Sequence, residues 1–367
     1  MSNARCGGSY PAQVRSLRAA PDAPVTAVLY ATKGLVDVAA AELAEVVPAA
    51  VVTGRTDRFL LVRLTPADLA ELGARSRTVD DVRLLVAGPA SVASADDLRR
   101  IGTTAAAAVA DVLAPPDGPW SVTLAARNPP WRRRPRWDPA PILAATLNGA
   151  DPTATERRPV DLRLQVDGTE AHLSVSLWER PLGKPEGGGP AWRGALRPTV
   201  AAALVRTALA ASGPTAVAAG VYDPFCGSGT IAAEAVRTGA AVFASDRADE
   251  AVTLTRDRLT ALGVADLDHR VFVRDVLRGP DQRVSARIVV GNLPWGGQQR
   301  VDGRIALFDA VAHLVAQRVG PDGAAVLLTT EEEALVARLR RHGLAVTARR
   351  IGLLGQTPAV VTATPPG

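Results

Sequence analysis

The stretch Val221–Ile231, VYDPFCGSGTI, constrains this chain more than any other. An apolar run ends at Asp223, a turn holding Gly227 and Gly229 follows, and a helix is expected to open at Thr230. Glycines let backbone come close to a ligand, and a helix N-terminus presents amides that have no partner within the helix. A strand feeding such a turn is a ligand-holding device. From Ala216 onward, strand and helix patterns alternate. Strands are expected at 216–223, 241–246, 270–273, 287–291, 324–330, 346–353 and 359–362, and helices at 230–237, 250–262, 305–319 and 332–341. This alternation predicts an α/β domain with a mostly parallel sheet covered on both faces. Only Gly355–Pro358 separates the last two strands clearly, too little for a crossover helix, so they should form an antiparallel hairpin.

Ligands in open α/β sheets bind at the carboxyl ends of the strands. Asp223, Asp246, Asp275 and Asn292 fall there in order. Asp246 ends the second strand, where a carboxylate accepts from ribose hydroxyls, and Asp275 follows the third, in reach of an adenine amino group. One strand-end Asp is as well explained as a helix cap or turn former. Three in register behind a Gly turn favour a nucleoside-bearing cofactor. The turn lacks both G-x-G-x-x-G and G-K-[ST], and no lysine occurs from 185 to 367. A polyphosphate is therefore disfavoured. S-adenosyl-L-methionine has ribose and adenine without phosphate, and it fits. Glu234, in the first helix, could help shape the site but is expected first on a solvated face, and Cys226 is expected as a small turn residue and not a nucleophile.

After the fourth strand comes GNLPWGG. The exocyclic amino group of a nucleobase is a poor nucleophile, because its lone pair is delocalised into the ring. Two acceptors aimed at its hydrogens, the Asn292 side-chain oxygen and the Leu293 carbonyl, would draw it toward a tetrahedral geometry. Pro294 fixes the turn, and Trp295 offers a face for a base taken out of its stack. Methyl transfer to such a nitrogen needs orientation and electrostatics more than a strong base.

Upstream, residues 1–24 show no clean period and are expected to be poorly ordered. Short strands and helices follow, with a two-residue hairpin signal at Asp167-Gly168 between strands 161–166 and 170–176. Between a strand at 120–126 and the next helix lies RNPPWRRRPRW, with Arg127, Arg132, Arg133, Arg134, Arg136, Trp131 and Trp137. Such a loop can lay guanidinium groups on phosphates and stack tryptophan on an unpaired base, or simply be a solvated loop packed on its own domain. A Pro/Gly-rich stretch at 178–189 marks a domain boundary.

The net charge of +5 and pI of about 9.8 suit an acidic partner such as nucleic acid. Cys6 and Cys226 are the only cysteines, which argues against a structural disulfide and for a reducing compartment. Neither has zinc-ligand company, and no metal site is expected. No segment reaches the roughly 18 apolar residues that span a membrane. A soluble, cytoplasmic protein is expected.

DPFCGSGT, Asp246, Asp275 and NLPWG together resemble the class I amino-methyltransferases that contain a THUMP domain, and most of all those making N2-methylguanosine in tRNA. GALRPTVAAALV at 194–205 resembles the segment placed before their first strand, where Pro198 and Thr199 match cofactor-contacting positions. The resemblance implies a Rossmann-like methyltransferase domain at 196–367, a ferredoxin-like domain at 25–78, a THUMP-like RNA-binding domain at 79–180 and a linker at 181–195. It implies S-adenosyl-L-methionine held by Pro198, Thr199, Asp223, Pro224, Phe225, Gly227, Gly229, Asp246, Asp275 and Asn292. It implies catalysis by Asn292, Leu293, Pro294 and Trp295, and tRNA gripped at its 3′ CCA end, with methylation of guanosine N2 in the acceptor stem. Asn-Leu-Pro-Trp departs from the commoner Asn-Pro-Pro-Tyr in the direction of the tRNA guanine enzymes. The alternatives are rRNA guanine-N2 or adenine-N6 methylation, and a non-catalytic RNA-binding protein on a methyltransferase fold.

Overall fold

The structure is a computed structural model that describes residues 17, 18, 20, 22–112, 120–127, 139–148, 160–178, 182, 194–294 and 303–366. The chain divides into two compact units, one drawn from residues 10–31 and 40–182 and the other chiefly from 32–39 and 183–367.

The first unit is built on a seven-stranded sheet of order β2-β3-β1-β4-β7-β6-β5. Its strands are β1 (Val25–Tyr30), β2 (Val51–Arg55), β3 (Phe59–Leu64), β4 (Asp81–Ser91), β5 (Trp120–Arg127), β6 (Val160–Asp167) and β7 (Glu170–Ser176). All neighbours run antiparallel except β5 and β6. The strands expected for two N-terminal domains thus share one sheet, joined where Tyr30 of β1 faces Asp81 of β4. The β6–β7 hairpin turns at Gly168, whose φ of +60° suits a residue without Cβ. Helix α1 (Val36–Val46) carries Glu42, which is buried and accepts from Ser76 Oγ, Thr78 Oγ1 and the Arg77 and Thr78 amides. That carboxylate replaces water for a buried turn, which a buried backbone requires. Helix α2 (Pro66–Arg75) opens on a capping box in which Thr65 and Asp68 exchange hydrogen bonds. Helices α3 (Ala95–Val112) and α4 (Pro139–Asn148) complete the described helices of this unit.

The second unit is a seven-stranded sheet of order β10-β9-β8-β11-β12-β14-β13. Its strands are β8 (Val221–Asp223), β9 (Val242–Asp246), β10 (Val271–Val273), β11 (Ile288–Asn292), β12 (Ala324–Thr329), β13 (Ala345–Arg350) and β14 (Ala359–Thr364). Pairing is parallel from β10 through β12, and β14 is antiparallel to both β12 and β13. The expected C-terminal hairpin is present. Along β11 and β12 alternate side chains enter two separate cores. Ile288, Val290, Val326 and Leu328 pack with α5 (Pro198–Ala210), α7 (Thr230–Arg237) and α8 (Asp249–Ala261). Val289, Ala325 and Leu327 pack with α10 (Arg304–Arg318) and α11 (Glu332–Arg341). This is the Rossmann-like fold of class I methyltransferases, with helices on both faces of a mostly parallel sheet.

One expected element divides. The run 216–223 is a helix, α6 (Pro214–Ala219), followed by the short β8. Pro214 suits a first helical turn, and Asp322 Oδ2 accepts from the Ala216 amide at 2.9 Å. Gly220 then reverses the backbone with φ +96°, and a Cβ there would lie 2.5 Å from the Ala241 carbonyl oxygen. Two short elements also went unforeseen: α9 (Leu267–Arg270) and a 3-10 turn at Val276–Arg278. Among the described residues no helix is long and apolar enough to cross a membrane.

Candidate active site

The chain order explains why the expected residues meet. From β8 it runs to β9 and then β10 on one side, and from β11 to β12 on the other. The strand order reverses at β8, so a crevice opens beyond the carboxyl ends of β8 and β11. Asp223 closes β8 and Asn292 closes β11, in strands paired through Val221–Ile288 and Tyr222–Val289.

Asp223 is 1% exposed. Its Oδ1 accepts from the Phe225 amide at 3.1 Å, whereas Oδ2 is buried with no hydrogen-bond partner. Burial pushes its carboxyl up to about 8; the Phe225 amide works against this and the nearby Asp246 charge adds to it. A carboxyl so placed carries its proton at neutral pH unless a cation or donor arrives.

The turn after Asp223 is tied from several directions. The Cys226 amide donates to the Ser245 carbonyl at 3.0 Å, and the Gly229 amide to the Cys226 carbonyl at 2.7 Å. Asp246 Oδ2 accepts from the Gly227 amide at 3.0 Å, and Oδ1 from the Ala248 amide at 3.0 Å. Gly227 and Gly229 have φ of +50° and +76°. At Gly229 a Cβ would meet the Thr255 backbone at 3.1 Å. Gly291 in β11 stays clear of Pro224 and Phe225, whose rings lie 3.7 and 3.5 Å from where its Cβ would be.

Asp275 lies just beyond β10, where its Oδ1 accepts from the Leu277 amide at 3.0 Å and caps the 3-10 turn. Thr199 is buried and Pro198 half-buried in the first turn of α5. Asn292 Nδ2 donates to the Gly194 carbonyl at 2.9 Å. The Leu293 amide donates to the Leu328 carbonyl at 3.0 Å, and its side chain is fully buried in the second core, so the residue is anchored by its own amide and side chain next to the peptide that carries its carbonyl. Pro294 is half-buried. Trp295 lies outside the described residues, as do 128–137 with Trp131, Arg132, Arg133, Arg134, Arg136 and Trp137. Arg127 is described only as the last backbone position of β5.

Glu234 differs from expectation. It is 4% exposed, not on a solvated face, and its charge acts on Arg258, which donates to Thr230 Oγ1 at 3.1 Å. The reason is packing: α7 is enclosed by α5, α8 and the strands β8 and β9, so little of its surface is free. Cys226 is buried, and burial raises its thiol well above the ordinary range, so it stays protonated. Sequence reasoning missed Ser245, Thr255 and Gly194. Thr255 Oγ1 donates to the Gly227 carbonyl at 2.9 Å from α8, a contact across 28 residues. Ser245 Oγ bonds Tyr222 OH at 2.7 Å. Only Gly194 carried a sequence signal, being the first residue of the GALRPT segment. Among the described residues no cluster of His, Cys, Asp and Glu is placed to hold a metal ion.

Residues 190–358 match the UPF0020 family, described as an RMKL-like methyltransferase domain. The chain is 33% identical over 207 residues to the tRNA (guanine(6)-N2)-methyltransferase of Thermus thermophilus. That match covers 54% of this chain and 58% of the relative, so it spans little more than half of the relative's length. The crystal structure of TrmN from Thermus thermophilus superposes with a TM-score of 0.68 and 26% identity over 93% of this chain and 99% of that one. A predicted N6-adenine-specific DNA methylase from Listeria monocytogenes gives a TM-score of 0.68 over 92% of this chain and 96% of that one; at 17% identity it speaks for the fold alone.

Proposed function

We propose that this protein is an S-adenosyl-L-methionine-dependent RNA methyltransferase that methylates the exocyclic N2 of a guanosine, in the acceptor stem of tRNA. The observation that carries the reading is the anchored Asn292 amide at the end of β11, beside the strand that feeds the glycine turn. The likeness to the Thermus tRNA enzyme supports guanine N2 over other amino groups.

The methyl donor is S-adenosyl-L-methionine, and the residues present fit it. Asp223 offers a buried oxygen with no hydrogen-bond partner among the described residues, the left-handed glycines 227 and 229 leave those two positions of the turn without side chains, and no lysine in 185–367 calls for a phosphate. Asp246 accepts from ribose hydroxyls with lone pairs left over after its two amide bonds. Asp275 reads the adenine amino group, and Pro198, Thr199, Pro224 and Phe225 line the donor. Bound, the donor supplies an electrophilic methyl group on a sulfonium.

The chain's own residues prepare the nucleophile. Asn292 Oδ1 and the Leu293 carbonyl accept the two N2 hydrogens, which concentrates the lone pair on nitrogen. Pro294 keeps that turn rigid, and Trp295 stacks on the guanine. The positive charge that grows on N2 is stabilised by these two fixed dipoles, which need no reorganisation during transfer. The N-terminal unit grips the 3′ CCA end, and Arg127, Arg132, Arg133, Arg134 and Arg136 contact phosphates beside Trp131 and Trp137. The enzyme works in the cytoplasm.

Incubation with labelled donor and unmodified tRNA, followed by nucleoside mass spectrometry, is expected to give N2-methylguanosine. Methyl-adenosine as the product, or label entering rRNA in preference to tRNA, would refute the assignment.

A further inference from the structure

Asn292 has two ends, and the chemistry proposed above needs one of them. An amide side chain can be turned by 180° so that its oxygen and nitrogen exchange places with little change in shape. Only the orientation that turns Oδ1 to the substrate serves as an acceptor. Some fixed group must choose between the two.

Gly194 supplies one such group in this structure. Its carbonyl lies 2.9 Å from Asn292 Nδ2, across 98 residues of chain. A carbonyl oxygen can only accept, so the amide nitrogen must face it; the turned amide would set two acceptors against each other. The carbonyl is aimed by an unusual backbone. Gly194 has φ +79°, and a Cβ there would meet no atom within 4 Å. Among the described residues, a Cβ at 194 would therefore disturb the torsion without a clash. At Gly229 and Gly220 the added carbon would strike backbone.

We propose that Gly194 is a positioning residue for methyl transfer: its left-handed backbone aims a carbonyl that locks the Asn292 amide with its oxygen toward the acceptor amine. This rests on the reading of Asn292 as the group that accepts from the methylated nitrogen. The segment that begins at Gly194 also holds Pro198 and Thr199, so one short piece of chain serves both the donor and the acceptor sides.

The test is a graded series. A left-handed position disfavours an ordinary L-residue by roughly 5- to 30-fold in population, β-branched residues most and Asn least. Gly194→Val is expected to lower kcat on tRNA by roughly 30-fold, Gly194→Ala by roughly 10-fold and Gly194→Asn by only a few-fold. Donor Kd, measured by calorimetry, should stay within about twofold throughout, because uniform binding is not what the bond supplies. In an Asn292→Asp background, where no donor remains for the Gly194 carbonyl, adding Gly194→Val should cost nothing further. Equal losses in both backgrounds, a donor Kd that rises in step with the loss of kcat, or wild-type kcat in Gly194→Val would overturn the proposal. A second readout does not depend on the acceptor. The Asn292 side-chain amide protons, assigned by their disappearance in Asn292→Asp, should exchange with solvent more slowly in the wild-type protein than in Gly194→Val. Protection unchanged by the substitution overturns the anchoring role. Absence of methylation by the wild-type protein with protection lost in the variant would instead leave the anchor standing and refute the functional reading.

Discussion

The two sheets have seven strands each, yet they gather polar residues in opposite ways. In the second unit β8, β9, β10 and β11 run parallel, so Asp223, Asp246, Asp275 and Asn292 all come to one edge. In the first unit most neighbours alternate in direction, strand ends are divided between both edges, and the polar groups sit mid-strand. There Arg163 of β6 lies 4.4 Å over the Tyr30 ring, and His172 of β7 meets the Phe59 ring edge-on at 5.0 Å. His172 and Ser174 are buried, and His172 Nε2 has no hydrogen-bond partner among the described residues. A parallel sheet makes a site out of position along the strand. An antiparallel one must make it out of a face, which strand boundaries do not reveal.

That contrast can be attacked at its strongest point first. Asn292→Ala should lower the methylation rate by about 10²–10³, with donor affinity nearly intact, since a lost transition-state hydrogen bond is worth that much. A near-wild-type rate would show that the strand-end amide does not do the chemistry assigned to it.

The two sheets should also respond to pH with opposite slopes. Asp223 is raised to about 8 in the fold, against about 4 in the unfolded chain. The folded state therefore holds the extra proton between those values, and stability falls as pH rises from about 4 to about 8, by at most about 1.4 kcal/mol per pH unit. His172 is lowered to about 4, by burial first and by Arg163 second. Here the unfolded chain, titrating near 6.5, binds the extra proton, so stability is lost as pH falls from about 6.5 to about 4. Donor-free denaturation of Asp223→Asn should show a shallower loss above pH 5 than the wild type. His172→Phe should show a shallower loss below pH 6. If both variants kept the wild-type profile, neither group would titrate as its burial implies.

The smallest effect marks the background. Glu71 and Arg75 form an exposed pair at 2.8 Å one helical turn apart on α2. Glu71→Ala should change the unfolding free energy by less than about 0.5 kcal/mol. A larger loss would mean that surface charge contributes more to the first unit than its buried groups suggest.

What is legible in the sequence follows the same division. Asp223, Asp246, Asp275 and Asn292 stand out because each ends or follows an apolar run, and a parallel sheet converts that local fact into a shared location. The helix at 214–219 does not, because TAVAAG is a short apolar run without the alternation that separates strand from helix. The burial of Glu234 does not, because it depends on α5 and α8 flanking α7 on the sheet. The union of the N-terminal strands in one sheet does not, because the β4–β7 pairing joins Arg83 to Ser176 and no local pattern spans that distance. The bond from Asn292 to Gly194 belongs to the same class. Local periodicity names elements, whereas partners far apart in sequence are chosen by the packing of the whole.

The reversed strand β14 has a consequence for how the molecule is made. It lies between β12 and β13, although both precede it in the chain. During synthesis Ala324–Thr329 and Ala345–Arg350 leave the ribosome first, and each waits with an open edge until Ala359–Thr364 arrives to fill the gap. A chain cut short before Ala359 would keep its strand-end residues but leave β12 and β13 with open edges, a ready substrate for chaperones and for edge-to-edge aggregation.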